Sequence, residues 1–377
     1  MPDRHAFLAA AGWGEARAMP LNGDASTRSY ARLVLGGRTA MLMDQPQGAE
    51  PAAAPPDADE GARAASGYNA TARLAGADCR RFAAVARYLR ARGFSAPAIL
   101  AADYRQGLVL TEDLGDGLFT ELIARGHSAE EELYLAAVEV LAGLHAEPAP
   151  RSLPFAPGIA QSDGEVQLPL FPYDAIALIA ETDLMLEWFL PLALGRRASE
   201  SECQEHRALW RSALKEIEKG QPVLVHRDYH AQNLLWLPER KGPARVGLID
   251  FQDAVAGSRA YDLVSLIEDA RRDVPAALAA GATRHYLTTV HAQGVALDEP
   301  RFRAEMALMA AQRNTKIVGI FARLHVRDGK QRYLDYLPRV WAYLENDLSH
   351  PLLAGLEAWY ERVLPRARRR LPAGQPA

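Results

Sequence analysis

Apolar positions follow two different periods along the chain, and the change from one to the other predicts its organisation. Alternating apolar residues in the first third are typical of half-buried strands, and Gly36-Gly37 is a strong signal for a two-residue hairpin turn. The pattern predicts a short helix over residues 3–13 and strands over 30–35, 39–43, 97–103 and 107–113.

Helical periodicity dominates the rest of the chain and is broken by one further strand pair. A hairpin is expected from 233–237 and 245–250, and the Pro-rich stretch 147–172 is expected to be a connection. Helices are predicted over 79–92, 130–145, 175–194, 200–219 and several stretches between 274 and 348. These elements predict an α+β fold with a small antiparallel-sheet lobe, residues 1–113, and a large helical lobe, residues 114–377.

One segment between the early strands and the first long helix lacks large apolar residues. Residues 47–78 are rich in Ala, Gly, Pro and Asp. Such a composition buries little surface to offset the entropy of ordering the backbone. We therefore expect a mobile insertion, in which the Ala content permits a short helix. A role as a lid over the nucleotide is the alternative.

Composition and charge restrict the classes of function. The net charge of −4 gives no general positive field for nucleic acid. The two cysteines are too few for a disulfide framework and fit a reducing compartment. Neither a signal peptide nor an apolar run of membrane-spanning length is found, so a cytoplasmic protein without membrane or nucleic-acid partners is expected.

A polar stretch in the second half has the residue types and spacing of a phosphoryl-transfer centre. His226-Arg-Asp228 is followed by Asn233 and, one hairpin later, by Asp250. This order matches the catalytic loop and metal-binding acid of kinases. We expect Asp228 to accept the proton of the attacked hydroxyl. Asn233 and Asp250 supply the oxygen ligands that Mg²⁺ prefers, so ATP and Mg²⁺ are the expected nucleotide and metal.

Two further stretches are candidates for nucleotide binding. A small polar loop lies between strands in the first lobe, and its backbone amides and hydroxyls could hold phosphates although no G-x-G-x-x-G is present. A second stretch follows the last predicted strand, where backbone groups could meet the adenine edge. The candidates are Asp24, Ala25, Ser26, Thr27 and Arg28 in the loop, and Glu112, Asp113 and Leu114 in the hinge.

The lysine that kinases place on the third strand is absent. The first lysine of the chain is Lys215, and the predicted helix 79–92 contains no Glu to pair with one. Because both partners of the usual lysine–glutamate ion pair are missing together, we expect another residue to replace the lysine, rather than an inactive site. Arg28 is the cation nearest the predicted phosphate loop. A solvated surface role for Arg28 and an inactive pseudokinase are the alternatives.

The chain resembles the aminoglycoside phosphotransferase superfamily, whose members have a bilobal protein-kinase-like fold. The resemblance rests on 23–30, 43–46, 79–82, 112–115, 225–229, 249–254 and 316–323. Within the superfamily the sequence is most similar to the anomeric kinases of N-acetylmuramate and N-acetylglucosamine in peptidoglycan recycling. The resemblance therefore implies an ATP-dependent kinase that phosphorylates the anomeric hydroxyl of an amino sugar.

Candidates for sugar binding follow from position and charge. Gln252 and Asp253 come directly after the metal-binding acid, and Arg313 and Lys316 could pair with the carboxylate of N-acetylmuramate. An aminoglycoside or other small-metabolite phosphotransferase is the alternative, for which acidic residues such as Glu181 would bind a polycation. A non-catalytic nucleotide-binding regulator is the third hypothesis. The sequence leaves the acceptor and the oligomeric state open.

Overall fold

The computed structural model describes residues 3–21, 27–48, 53–126, 130–155, 166–216 and 220–371. The strands are β1 (Arg17–Leu21), β2 (Ser29–Leu35), β3 (Arg38–Asp44), β4 (Ile99–Asp103), β5 (Leu108–Glu112), β6 (Ser152–Phe155), β7 (Val166–Pro169), β8 (Val223–Val225), β9 (Leu234–Trp236), β10 (Val246–Leu248) and β11 (Val255–Gly257). The helices are α1 (Arg4–Ala10), α2 (Glu60–Ala65), α3 (Tyr68–Thr71), α4 (Cys79–Ala91), α5 (Phe119–Arg125), α6 (Glu130–Leu144), α7 (Ala175–Leu184), α8 (Leu190–Leu194), α9 (Glu200–Leu214), α10 (Ala260–Ile267), α11 (Ala276–Ala292), α12 (Glu299–Asp328), α13 (Leu337–Leu348), α14 (Ala354–Val363) and α15 (Arg366–Arg369).

The chain divides into two compact units that interleave in sequence. The first contains Met1–Leu144, Ala149–Pro172 and His226–Ala256, and the second contains His145–Pro148, Tyr173–Val225 and Gly257–Ala377. The predicted N-terminal lobe, 1–113, lies within the first unit, together with the predicted catalytic loop. The lobe boundary after Asp113 stays a prediction. Within the described ranges, no helix is both long and apolar enough to cross a membrane.

The first unit is built on a five-stranded antiparallel sheet in the order β1-β2-β3-β5-β4. The predicted turn at Gly36-Gly37 joins β2 to β3, and both glycines have positive φ, as a turn of this type requires. One face of the sheet and the residues around α1 form a core of Phe7, Trp13, Leu33, Ala40, Leu42, Ala101, Leu108 and Leu110. The four predicted strands and the N-terminal helix are confirmed, although the helix ends at Ala10.

A short hairpin supports the end of the predicted catalytic loop. β9 and β10 pair antiparallel, with Leu234 opposite Leu248 and Trp236 opposite Val246. The hairpin predicted over 233–237 and 245–250 is therefore confirmed. The stretch 147–172 differs from the prediction, because its described parts contain the antiparallel pair β6 and β7. Its prolines do not exclude the two strands, because Pro154 and Pro169 lie in a two-stranded sheet, where every strand is an edge.

The described part of the predicted insertion, residues 53–78, contains α2 and α3 and two buried arginines. Arg63 donates to the backbone oxygen of Thr71 at 2.7 Å, and Arg73 donates to the backbone oxygen of Pro55 at 2.8 Å. The segment contains few large apolar side chains. Its composition does not reveal that two of its own arginines donate hydrogen bonds to its backbone carbonyl groups. Its mobility stays a prediction.

The second unit is organised around α12, a helix of 30 residues. Asp298 caps its N-terminus by accepting from the backbone amide of Arg301, and Gly329 ends it with a left-handed φ of 66°. The predicted helical region 175–194 is confirmed as α7 and α8, with a π-helical segment, Met185–Phe189, between them. Asp262 lies buried in the first turn of α10.

Gly319 allows α12 to pack closely against the end of α7. A Cβ atom at this position would lie 2.3 Å from the backbone carbon of Leu184 and 2.5 Å from the nitrogen of Met185. Both are backbone atoms, which cannot move aside as a flexible side chain can. Helix propensity alone favours Ala over Gly by about 1 kcal/mol. Gly319 is therefore required only if the steric clash of an added methyl group costs more than that.

We predict that Gly319→Ala lowers the free energy of unfolding by about 1–3 kcal/mol, because the added methyl group overpacks the contact with Leu184. The matched control is Gly281→Ala in α11, where the nearest atom to the new Cβ lies 3.9 Å away. This control should raise stability by about 0.5–1 kcal/mol. Thermal unfolding of both variants checks the pair, and a rise in Tm for Gly319→Ala would contradict the close packing.

Candidate active site

Asp228 is half-buried within a stretch whose other side chains are buried. His226, Arg227, Tyr229 and His230 surround it in sequence and are at most 6% exposed. The hydroxyl of Tyr229 donates to the backbone oxygen of Ala137 in α6 at 2.8 Å. Anchors on both sides therefore fix the backbone at Asp228, while its own carboxylate stays accessible.

His226 has a structural role in this stretch. Its ring lies edge-on to the rings of Tyr229 and Phe251, with centroids 5.5 and 6.2 Å away. Phe251, the residue after Asp250, stacks in turn on Phe82 of α4 at 4.8 Å. Burial lowers the pKa of His226 to about 4, so the ring is neutral at pH 7 and adds no charge to the centre.

Asn233 and Asp250, the predicted metal ligands, lie together. The Asn233 amide nitrogen donates to the backbone oxygen of Asp228 at 2.9 Å and lies 3.5 Å from a carboxylate oxygen of Asp250. Because the nitrogen is engaged, the amide oxygen is left to bind a cation. One carboxylate and one amide oxygen fit Mg²⁺, which takes few protein ligands and completes its shell with phosphates and water. Within the described ranges, no group of three or more His, Cys, Asp and Glu side chains could hold a metal.

The charges at this point repel one another. Protein atoms crowd around Asp250, although its side chain is still 44% exposed. The pKa of Asp250 is raised, first by desolvation and second by the negative charge of Asp228. Two carboxylates that act on each other in this way favour the binding of a cation between or beside them.

The backbone takes an uncommon conformation beside each of these carboxylates. Arg227 has a φ of 81° and Asp250 a φ of 63°, in the left-handed region that glycine favours. Each such residue costs about 1–3 kcal/mol and persists only where the surrounding contacts determine it. The strain therefore lies at the predicted base and the predicted metal ligand.

The predicted phosphate loop is described only at its end. Asp24, Ala25 and Ser26 lie outside the described residues, while Thr27 and Arg28 lie within them. The hydroxyl of Thr27 accepts from the Gln45 side-chain amide at 3.2 Å. A guanidinium nitrogen of Arg28 lies 3.9 Å from a carboxylate oxygen of Asp250, and the Arg28 side chain is 11% exposed. The structure thus brings Arg28 to Asp250, the predicted metal ligand.

Two residues near this loop were not identified from the sequence. Gln45 is buried at the end of β3, in the stretch 43–46 that was quoted only for its resemblance. Tyr30 was interpreted as a strand residue. Burial first, and the charge of Asp250 second, raise the pKa of Tyr30 to about 12, which places its hydroxyl in the field of the metal-binding acid. Strand periodicity hides both residues, since it reports only which face is apolar.

The side chains of the predicted hinge are engaged with arginines. The carboxylate of Glu112 accepts from Arg90 at 3.1 Å and from Arg240 at 2.7 Å, and Asp113 pairs with Arg32 at 2.8 Å. Leu114 lies beside Gly247, where a Cβ would come within 3.1 Å of a Leu114 methyl group. The two carboxylates therefore fix the position of the hinge. The backbone N–H and C=O groups of the hinge remain as candidates for hydrogen bonds to adenine.

The predicted sugar-binding residues fall into two groups. Gln252 and Asp253 lie with Asp250 in the first unit, where the Gln252 amide nitrogen donates to Asp250 at 2.9 Å. Arg313 and Lys316 lie on α12 in the second unit. Arg313 donates to the backbone oxygen of Glu268 at 3.0 Å. Lys316 forms a buried ion pair with Glu181 at 3.1 Å and donates to the hydroxyl of Tyr261.

Known proteins are similar to this chain over most of its length. Residues 17–304 match the model of the phosphotransferase enzyme family. The chain is 44% identical over 365 residues to the N-acetylmuramate/N-acetylglucosamine kinase of Caulobacter vibrioides, with 97% of each chain covered. It is 31% identical over 357 residues to the protein of the same name from Pseudomonas aeruginosa, covering 93% of this chain and 90% of that one.

A solved structure shows the same fold. The crystal structure of choline kinase from Streptococcus pneumoniae matches with a TM-score of 0.55 at 12% identity, covering 89% of this chain and 94% of that one. A likeness at this identity shows the fold alone, and it confirms the predicted α+β, protein-kinase-like class. With the family model spanning most of the chain and two near-full-length relatives, the protein belongs to the phosphotransferase enzyme family and is, as its sequence predicts, an ATP-dependent phosphotransferase.

Proposed function

We propose that this protein transfers a phosphoryl group from ATP to the anomeric hydroxyl of N-acetylmuramate or N-acetylglucosamine, in the recycling of cell-wall sugars. The 44% identity over nearly the whole chain to a kinase of that name carries the proposal. A cytoplasmic location, where ATP is available, is part of it.

Asp228 is the proposed base. Its half-buried carboxylate can accept the proton of the attacking hydroxyl, because the buried residues around it hold the loop in place. An anomeric hydroxyl is more acidic than an ordinary sugar alcohol, so positioning and electrostatics can carry most of the rate. Asn233 and Asp250 are the proposed ligands of Mg²⁺. This ion, when bound, neutralises charge on the phosphates.

The nucleotide is proposed to lie against the end of the phosphate loop and the hinge. Thr27 and Arg28 supply a hydroxyl and a guanidinium for the phosphates, and Asp24, Ala25 and Ser26 extend that set in sequence. Arg28 provides the positive charge that other kinases obtain from a strand lysine. The adenine edge is proposed to meet backbone groups of Glu112, Asp113 and Leu114.

The acceptor site is proposed to include Arg313 and Lys316 on α12. A guanidinium or ammonium group can pair with the carboxylate of N-acetylmuramate. Lys316 is paired with Glu181, and Arg313 donates to the backbone oxygen of Glu268 while its positive charge also acts on the Glu268 carboxylate. Both candidates therefore have an acidic neighbour in the second unit.

The same contacts disfavour an aminoglycoside as acceptor. A polycationic substrate needs acids whose charge is available. Of the acids on α7, Glu181 is paired with Lys316, and Asp183 accepts from Arg207 at 2.9 Å. Glu181 and Asp183 are thus already paired with cations, and they are two of the three acids that suggested this alternative in the sequence, the third being Glu187.

Replacing Asp228 by Asn should lower kcat by about 10²–10⁴, because the amide keeps the shape of the side chain but cannot accept the proton. Binding of ATP, measured by titration calorimetry, should persist. A variant with near-normal turnover would remove Asp228 from the role of base.

Arg28→Ala should raise the KM for ATP about tenfold, since it removes a charge-assisted contact to phosphate. Arg38→Ala is the matched control, because Arg38 is exposed and lies over the ring of Trp13 at 4.9 Å. The control should leave the KM within about twofold of wild type. Equal, negligible effects in both variants would assign the phosphates to backbone amides instead.

A methyl glycoside tests which hydroxyl is phosphorylated, because it blocks the anomeric position and keeps every other hydroxyl. We expect N-acetylglucosamine to stimulate ATP consumption and its methyl glycoside to give no phosphorylated product. Equal phosphorylation of the two sugars would exclude the anomeric hydroxyl and favour a kinase for another position.

A further inference from the structure

We propose that Ala72–Ala75, named here the bridging segment, holds the catalytic loop and the metal-binding loop in register. Arg227, Gln252 and Asp253 act as positioning residues through it. The inference rests on the proposed roles of Asp228 and Asp250 and adds to them a part of the chain that the kinase motifs do not include.

The first contact joins the bridging segment to the catalytic loop. The guanidinium of Arg227 donates to the backbone oxygen of Ala72 at 2.7 Å and to that of Arg73 at 3.2 Å. Arg227 is 1% exposed and directly precedes Asp228. A planar fork with two donors in fixed geometry suits two successive carbonyl groups, which one ammonium group cannot match. Arg227 thereby sets the backbone from which the proposed base projects.

The second contact joins the bridging segment to the metal-binding loop. The backbone amide of Ala75 donates to a carboxylate oxygen of Asp253 at 2.6 Å. The other oxygen of Asp253 lies 3.4 Å from the amide nitrogen of Gln252, which also donates to Asp250 at 2.9 Å. Hydrogen bonds thus lead without interruption from Ala75 to the proposed metal ligand. Because both oxygens of Asp253 and the nitrogen of Gln252 are engaged, positioning explains these residues better than contact with the sugar.

The bridging segment is itself firmly held. The guanidinium of Arg73 donates to the backbone oxygens of Ala54, Pro55 and Pro56 at 3.2, 2.8 and 2.8 Å. It also lies 4.9 Å above the ring of Phe171. A buried arginine that ties three carbonyl groups makes the segment a fixed support for the two loops.

The backbone conformations point to the same assembly. Within the part of the chain that the structure describes, the non-glycine residues with positive φ are Arg73, Arg227 and Asp250. Arg73 lies in the bridging segment, Arg227 donates to its carbonyl groups, and Asp250 is the proposed metal ligand. Such conformations persist only where neighbouring contacts determine them. Their occurrence in one connected set indicates that the bridging segment and the two loops form a single pre-organised unit.

The experiment compares Asp253→Ala, Asp253→Asn and Arg227→Lys in the full-length enzyme. Asp253→Ala removes the acceptor for Ala75, and Asp253→Asn keeps an acceptor oxygen without the charge. Arg227→Lys keeps the charge but cannot reach both carbonyl groups. Asp59→Ala is the control, since Asp59 is exposed and caps α2 in the same region without contacting either loop.

We expect Asp253→Ala and Arg227→Lys to lower kcat by at least about tenfold, with the KM for ATP within about threefold of wild type. Amide exchange at Ala75, followed by mass spectrometry, should speed up by about tenfold in Asp253→Ala. Asp253→Asn should restore most of the slow exchange at Ala75, because one acceptor oxygen remains, and Asp59→Ala should match wild type in both measurements. Should Arg227→Lys fail to fold, as thermal unfolding would show, the two Asp253 variants carry the test.

Three outcomes would overturn the proposal. Wild-type kcat and exchange in Asp253→Ala would show that the contact positions nothing. Exchange at Ala75 that is as fast in Asp253→Asn as in Asp253→Ala would show that the charge of Asp253 matters and not its hydrogen bond to Ala75. An equal loss in Asp59→Ala would show that any weakening of the region acts in the same way. The exchange measurement needs no sugar, so it tests the bridging segment even if N-acetylglucosamine proves not to be the acceptor.

Discussion

The carboxylates of Asp228 and Asp250 repel one another, and much of the first compact unit serves to hold them together. Desolvation first, and the negative charge of Asp228 second, raise the pKa of Asp250, so keeping Asp250 ionised at neutral pH costs stability. Nearby groups offset that cost without adding negative charge: Arg28 brings a cation, Gln252 and Asn233 bring amides, and His226 stays neutral. The same repulsion that weakens the unliganded protein prepares the site for a cation and a phosphate.

Arginine takes over the positive charges in this part of the molecule. The chain has no lysine before Lys215, and four arginines of the first unit show two different roles. Arg28 lies beside Asp250, the predicted metal ligand. Arg63, Arg73 and Arg227 are buried and satisfy backbone carbonyl groups. A guanidinium can do both because it stays charged and presents several donors in a fixed plane.

One buried ion pair in the second unit is compensated by its own neighbours. Lys316 pairs with Glu181, which also accepts from Tyr173 and from Gln312. Buried ions persist only when paired and hydrogen-bonded, so this set supports α7 and α12.

The sequence by itself determined the elements and the chemistry that depend on local pattern. Strand alternation, the Gly36-Gly37 turn and helical periodicity follow from neighbouring residues, and the spacing of Asp228, Asn233 and Asp250 is a local signature as well. Only the tertiary structure decided what depends on residues far apart in the chain. Gly319 is a poor helix former, yet it allows the close contact between α12 and the end of α7. Lys316 pairs with Glu181, and Ala72–Ala75 contacts Arg227 and Asp253. Composition predicted a mobile insertion around residue 73 because it counts apolar side chains, whereas backbone carbonyl groups that bind distant arginines leave no trace in composition or periodicity.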